Sequence, residues 1–133
     1  MKPDKNANRV AILETGYLLN IAERGIPLPY DYGVIGVPTF CYGELVRFSK
    51  ENDYRAHIAK KCLRALSKIE KYCPLVGEYI YRYDANYSIS PRTIRVASLV
   101  KDYASKWDVT LFTSSVNLYD WCISHKIDVE LLK

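Results

Sequence analysis

The chain of 133 residues contains no apolar run near the roughly 20 residues that a membrane-spanning helix needs, which argues against a membrane partner. It has no C-x-x-C pair: Cys41, Cys62, Cys73 and Cys122 stand far apart, a spacing unsuited to structural zinc. Cys62 and Cys73 are expected on one helix, about 16 Å apart along its axis, too far for a disulfide. Buried free thiols are the expectation. It has two histidines, His57 and His125, and neither sits in a pattern that pairs with a nucleophile, despite Ser114 and Ser115. It has no internal repeat and no low-complexity segment. Residues 1–8 lack the apolar core of a secretory signal, so a cytoplasmic location is expected.

The composition that is present is ordinary for a soluble chain, 49% hydrophobic and 26% charged, and the length suits one domain with one core. Net charge is +4, a mild bias compatible with an anionic partner. Strands and helices alternate along the chain. Arg9 to Leu13 is an apolar strand, and Thr15 to Arg24 has helical periodicity closed by Gly25. A breaker-rich loop precedes a second strand at Val34 to Val37. Pro38 and Thr39 open a helix carrying Phe40, Glu44, Leu45 and Phe48.

The spacing then predicts a helix over 54–73, capped by Asp53 and ended by Pro74. Ile58, Cys62, Leu66, Ile69 and Cys73 form its apolar stripe, and Lys60, Arg64, Lys68 and Lys71 a basic one. Residues 78–83 alternate as a strand, with Tyr79, Tyr81 and Tyr83 on one face. Ser90 and Pro91 open a helix whose buried face is Val96, Leu99, Val100, Tyr103 and Trp107. A strand at Val109 to Phe112, a helix capped by Ser114 or Ser115, and a strand at Ile127 to Leu131 complete the chain. Such alternation with short connections predicts an α/β fold: a three-layer α/β/α sandwich around a mainly parallel sheet.

In that topology four places meet at one sheet edge. Glu14 follows the first strand, and Glu44 lies early in a helix. The run Ser90-Pro91-Arg92-Thr93 starts a later helix, and Thr113-Ser114-Ser115 follows a later strand. The carboxyl edge of an open parallel sheet is where ligands bind in such folds.

These segments resemble the PIN domain family, α/β/α metal-dependent nucleases that act mostly on RNA. The matching segments are Ile12-Leu13-Glu14-Thr15, Val37-Pro38-Thr39 with the later Glu44, Ser90-Pro91-Arg92-Thr93, and Leu111-Phe112-Thr113-Ser114-Ser115. The resemblance covers nearly the whole chain and implies four acids. Glu44 is retained and Glu14 replaces the first Asp, whereas Thr93 and Ser115 stand where the third and fourth acids belong.

The resemblance implies a Mg²⁺ or Mn²⁺ centre, with Glu14 and Glu44 as its remaining ligands and catalytic acids. Two metals about 3.5–4 Å apart need more carboxylate than these two supply. Glu14 is also a methylene longer than Asp. Asp and Ser are similarly good helix caps, so Ser at position 115 keeps the cap and removes the charge. Asn117 and Asp120 are weaker candidates to replace a lost acid. Arg92 and Arg95 at the same helix start disfavour a cation and suit a phosphate.

Two functions follow as expectations. One is a domain with a degenerate centre that binds RNA or a protein partner, through Arg92, Arg95 and the Lys60, Arg64, Lys68, Lys71 stripe. The other is an active Mg²⁺- or Mn²⁺-dependent endoribonuclease with a reduced carboxylate set. Against these stand plainer roles: Glu14 as a first-turn residue favoured by the helix dipole, the stripe as a solvated face, and the tyrosines as packing. The sequence leaves open a homo-oligomer.

Overall fold

The computed structural model describes residues 6–77 and 91–133. Its elements are β1 (Val10–Leu13), α1 (Thr15–Arg24), β2 (Val34–Pro38), α2 (Thr39–Ser49), α3 (Tyr54–Ser67), β3 (Tyr72–Leu75), α4 (Pro91–Ala104), β4 (Val109–Thr113), α5 (Val116–Ser124) and β5 (Asp128–Leu131). The predicted strand over 78–83, with Tyr79, Tyr81 and Tyr83, lies outside the described residues, as does Ser90.

Five strands form one parallel sheet in the order β3-β2-β1-β4-β5. β1 and β4 are buried throughout and apolar except for Thr110 and Thr113 of β4, as expected of strands covered on both faces. From β1 the chain moves outward to β2 and β3. It then crosses back, and β4 and β5 extend the sheet in the opposite direction. α1, α2 and α3 pack on one another, and α4 packs on α5, consistent with a three-layer α/β/α arrangement. The point where strand order reverses lies between β1 and β4, the neighbours paired from Val10↔Val109 to Leu13↔Phe112. In open α/β sheets the crevice for ligands opens there, beyond the carboxyl ends of the strands.

Local chemistry explains most boundaries. Gly25 ends α1 in the left-handed conformation at φ 68°, and its N–H returns to the Ile21 carbonyl. Asp53 caps α3 by accepting the Ala56 N–H at 3.0 Å. Ser115, the second of the two predicted candidates, caps α5 by accepting the Leu118 N–H at 3.3 Å.

Three expectations are corrected. The predicted helix over 54–73 ends at Ser67, with Lys68 as its C-cap. Tyr72 to Leu75 instead forms β3, paired with β2, so Cys73 and Lys71 leave the helix and Pro74 sits in a strand. An edge strand tolerates a proline because one side of its ladder needs no N–H donor. Trp107 lies past the end of α4 and is 61% exposed, not buried. Among the described residues no helix is long and apolar enough to cross a membrane.

Candidate functional site at the carboxyl edge

β1 ends at Leu13, so Glu14 emerges at the strand-order reversal with extended backbone and becomes the N-cap of α1. Its carboxylate takes up helix donors. Oε2 accepts the Gly16 N–H at 3.0 Å, and Oε1 accepts the Tyr17 N–H at 2.5 Å. Oε1 also accepts the Ser114 N–H at 3.3 Å, from the loop between β4 and α5. One side chain therefore ties the first turn of α1 to the end of β4. Glutamate ranks below Asp, Asn, Ser and Thr as a cap. Here the extra methylene gives it the reach for a third donor.

Thr15 and Glu44 form the second part of the crevice. The Thr15 hydroxyl donates to Glu44 Oε1 at 2.8 Å, joining the start of α1 to α2. Thr15 is only 1% exposed, so its hydroxyl needs this acceptor. Cys41 lies one turn before Glu44 on α2 and is fully buried. Burial pushes its thiol up to about 12; the charges of Glu14 and Glu44 add to the rise, and hydrogen bonds from Thr15 oppose it.

Gly16 keeps this corner open. A Cβ there would lie 2.9 Å from Ser114 Oγ and 3.1 and 3.3 Å from the Glu14 carboxylate oxygens. The fourth segment is tied in as well. Thr113 is fully buried, and its hydroxyl accepts the Ser115 N–H at 3.0 Å. Arg95 on α4 sets its guanidinium 4.9 Å from the centre of the Phe40 ring, a side-chain link from α4 to the first turn of α2.

The structure thus ties Glu14 to Ser114, and Glu44 to Thr15 beside Glu14, while Arg95 lies over Phe40 on α2. Arg92 and Thr93 lie in the first turn of α4. Asn117 and Asp120 are exposed on α5. The basic stripe divides. Lys60 and Arg64 are exposed on α3 and Lys68 is exposed at its end. Lys71 lies at the opposite, amino edge of the sheet, where its Nζ donates to the carbonyls of Tyr30 at 2.6 Å and Tyr32 at 3.1 Å just before β2. Sequence reasoning missed Thr15 and Cys41 as members of the cluster. The available signal was the i, i+3 spacing of Cys41 and Glu44 behind the Pro38-Thr39 helix start.

A divalent ion of the Mg²⁺ type needs about six oxygen ligands in near-octahedral geometry. The donor set here fits that poorly. Both Glu14 oxygens face backbone N–H groups, and Glu44 Oε1 faces a hydroxyl. Among the described residues no three of His, Cys, Asp or Glu gather into a metal-holding group. No family model matches the chain, and no curated protein matches it.

Proposed function

We propose that this chain is a PIN-like domain with a degenerate acidic centre, which binds RNA and has little or no nuclease activity of its own. The observation that carries the reading is the Glu14 carboxylate, which accepts the N–H groups of Gly16, Tyr17 and Ser114 at the strand-order reversal. A carboxylate used this way holds elements together, a role that lets the fold persist without metal chemistry. Ser115 supports the same reading: it caps α5 where the resemblance expects an acid. Arg95 on α4, over the Phe40 ring, adds positive charge that favours an anion over a cation. Lys60, Arg64 and Lys68 add exposed positive charge suited to phosphates.

The enzyme reading has one observation in its favour: Glu44 accepts the hydroxyl of Thr15, the residue that follows Glu14. In that reading the two carboxylates would hold one Mg²⁺ or Mn²⁺ ion.

The experiment restores the missing charge. Thr93→Asp and Ser115→Asp together put carboxylates at both vacated positions, and Asp at 115 remains a good N-cap. Calorimetry with Mn²⁺ is expected to show no specific binding to the natural chain and clear binding to the double variant. Binding equally strong in the natural chain would favour the enzyme. No binding in either would mean that the four positions do not converge on one ion, against the PIN-like reading.

A further inference from the structure

α3 carries a net charge equal to that of the whole chain. α3 carries Arg55, Lys60, Lys61 and Arg64 and no acid, while the rest of the chain has fifteen Lys and Arg against fifteen Asp and Glu. The whole net charge of +4 is therefore accounted for by a 14-residue helix. Ala56, Ile58, Ala59, Cys62 and Leu66 face inward, and the Cys62 thiol donates to the Leu18 carbonyl at 3.2 Å. That fixes the opposite face outward.

The outward face has a definite order. Tyr54, His57, Lys61, Arg64 and Lys68 follow one another at spacings of three and four, so they form a single exposed stripe, with Lys60 beside it. Tyr54 is 66% exposed, and its ring lies 6.5 Å from that of His57. An aromatic exposed to this degree, at the head of a cationic ladder, leaves a ring face open to a stacking partner. Arg55 is separate: it pairs with Glu51 at 2.7 Å and lies over the Phe48 ring at 3.9 Å. Among the described residues no ion pair engages Lys60, Lys61, Arg64 or Lys68.

We infer that the outer face of α3 is a binding platform for single-stranded RNA, with Lys60, Lys61, Arg64 and Lys68 along the phosphates and Tyr54 stacked on a base. The inference rests on the RNA-binding reading and locates it on a surface distinct from the Glu14 crevice. Unpaired cations in register match a phosphate backbone, and an exposed ring adds affinity only where bases are unstacked and available. Duplex RNA buries its bases and would use the cations alone. Lys71 takes no part, because it is held by the Tyr30 and Tyr32 carbonyls at the amino edge of the sheet.

The test measures fluorescence anisotropy of a labelled oligouridine and of a short duplex RNA with the full chain, across a salt series. Lys61→Glu/Arg64→Glu is expected to weaken both and to flatten the single-strand salt dependence by about 0.7 log–log units for each phosphate no longer neutralised. Lys101→Glu/Lys106→Glu, the same charge change at two exposed positions on and just past α4, is expected to do far less. Tyr54→Ala is expected to weaken oligouridine binding about fivefold or more and to leave the duplex nearly unchanged. Thermal melts establish that each variant is folded.

If oligouridine binds but the α3 double variant behaves like Lys101→Glu/Lys106→Glu, the platform is wrong and the RNA-binding reading survives. If Tyr54→Ala affects both RNAs alike, the single-strand assignment is wrong. If polyglutamate competes as well as oligouridine, the surface serves an acidic protein and the inference fails. If the natural chain binds neither RNA, the underlying reading falls and takes this one with it.

Discussion

The backbone N–H of Ser114 donates to Glu14 Oε1 at 3.3 Å across 100 residues of sequence. That bond joins β1 and α1 to the loop that starts α5, at the point where the strand order of the sheet reverses. It makes the most conspicuous acid of the sequence a structural tie.

Removing the tie should cost stability. Glu14→Ala loses the cap of α1 and leaves three N–H groups without their acceptor, an expected loss of about 1–3 kcal/mol. Glu14→Asp keeps a good cap but is a methylene short of Ser114, and should lose about 1 kcal/mol or less. Urea denaturation of the two variants checks the order. Equal, negligible losses would assign Glu14 no structural role.

Gly33 should tolerate no side chain. A Cβ there would lie 2.0 Å from the Ala7 carbonyl oxygen, and the Gly33 N–H already donates to the Asn6 and Arg9 carbonyls. The obstacle is backbone, which cannot rotate away. Gly33→Ala is expected to destabilise by about 2 kcal/mol or more in the same denaturation experiment.

The four thiols should divide three to one. Burial raises Cys41 and Cys122 to about 12 and Cys62 to about 11, from an ordinary 9.0. Cys73 is exposed on β3. At pH 8 a disulfide-exchange reagent should label Cys73 alone in the native chain and all four cysteines after unfolding. The sign of the pH effect follows from the same shifts. The three buried thiols keep their protons in the folded chain at pH values where the unfolded chain loses them, so the unfolded chain is favoured as pH rises above about 9. Stability should therefore be unaffected by these groups below pH 9 and decline between pH 9 and about 11–12, as read from denaturation midpoints.

Much of the fold was legible because burial on both faces leaves a strong mark. β1, β2 and β4 read as short apolar runs bounded by breakers, and Gly25, Asp53 and Ser115 stand where the helix ends require them. β3 was not legible. It is a four-residue edge strand containing Pro74, with a mostly exposed pattern, and no glycine separates it from α3. That the Glu14 and Thr113-Ser114-Ser115 segments reach one edge was legible, since parallel order dictates which edge each strand end reaches. What each side chain does there was not. Glu is an uncommon cap, and its third donor comes from Ser114, a long-range partner that local pattern does not reveal. The same holds for Thr15, whose hydroxyl finds Glu44 only once α1 and α2 are packed.

The central proposal is that this centre does not perform metal-dependent cleavage. The direct measurement is cleavage of a labelled single-stranded RNA by the natural chain in Mn²⁺, beside Glu44→Gln. Both should match the rate of Mn²⁺ alone, because Glu14 is engaged by Gly16, Tyr17 and Ser114 and Glu44 by Thr15. Robust cleavage by the natural chain that disappears in Glu44→Gln would contradict the account and establish an enzyme.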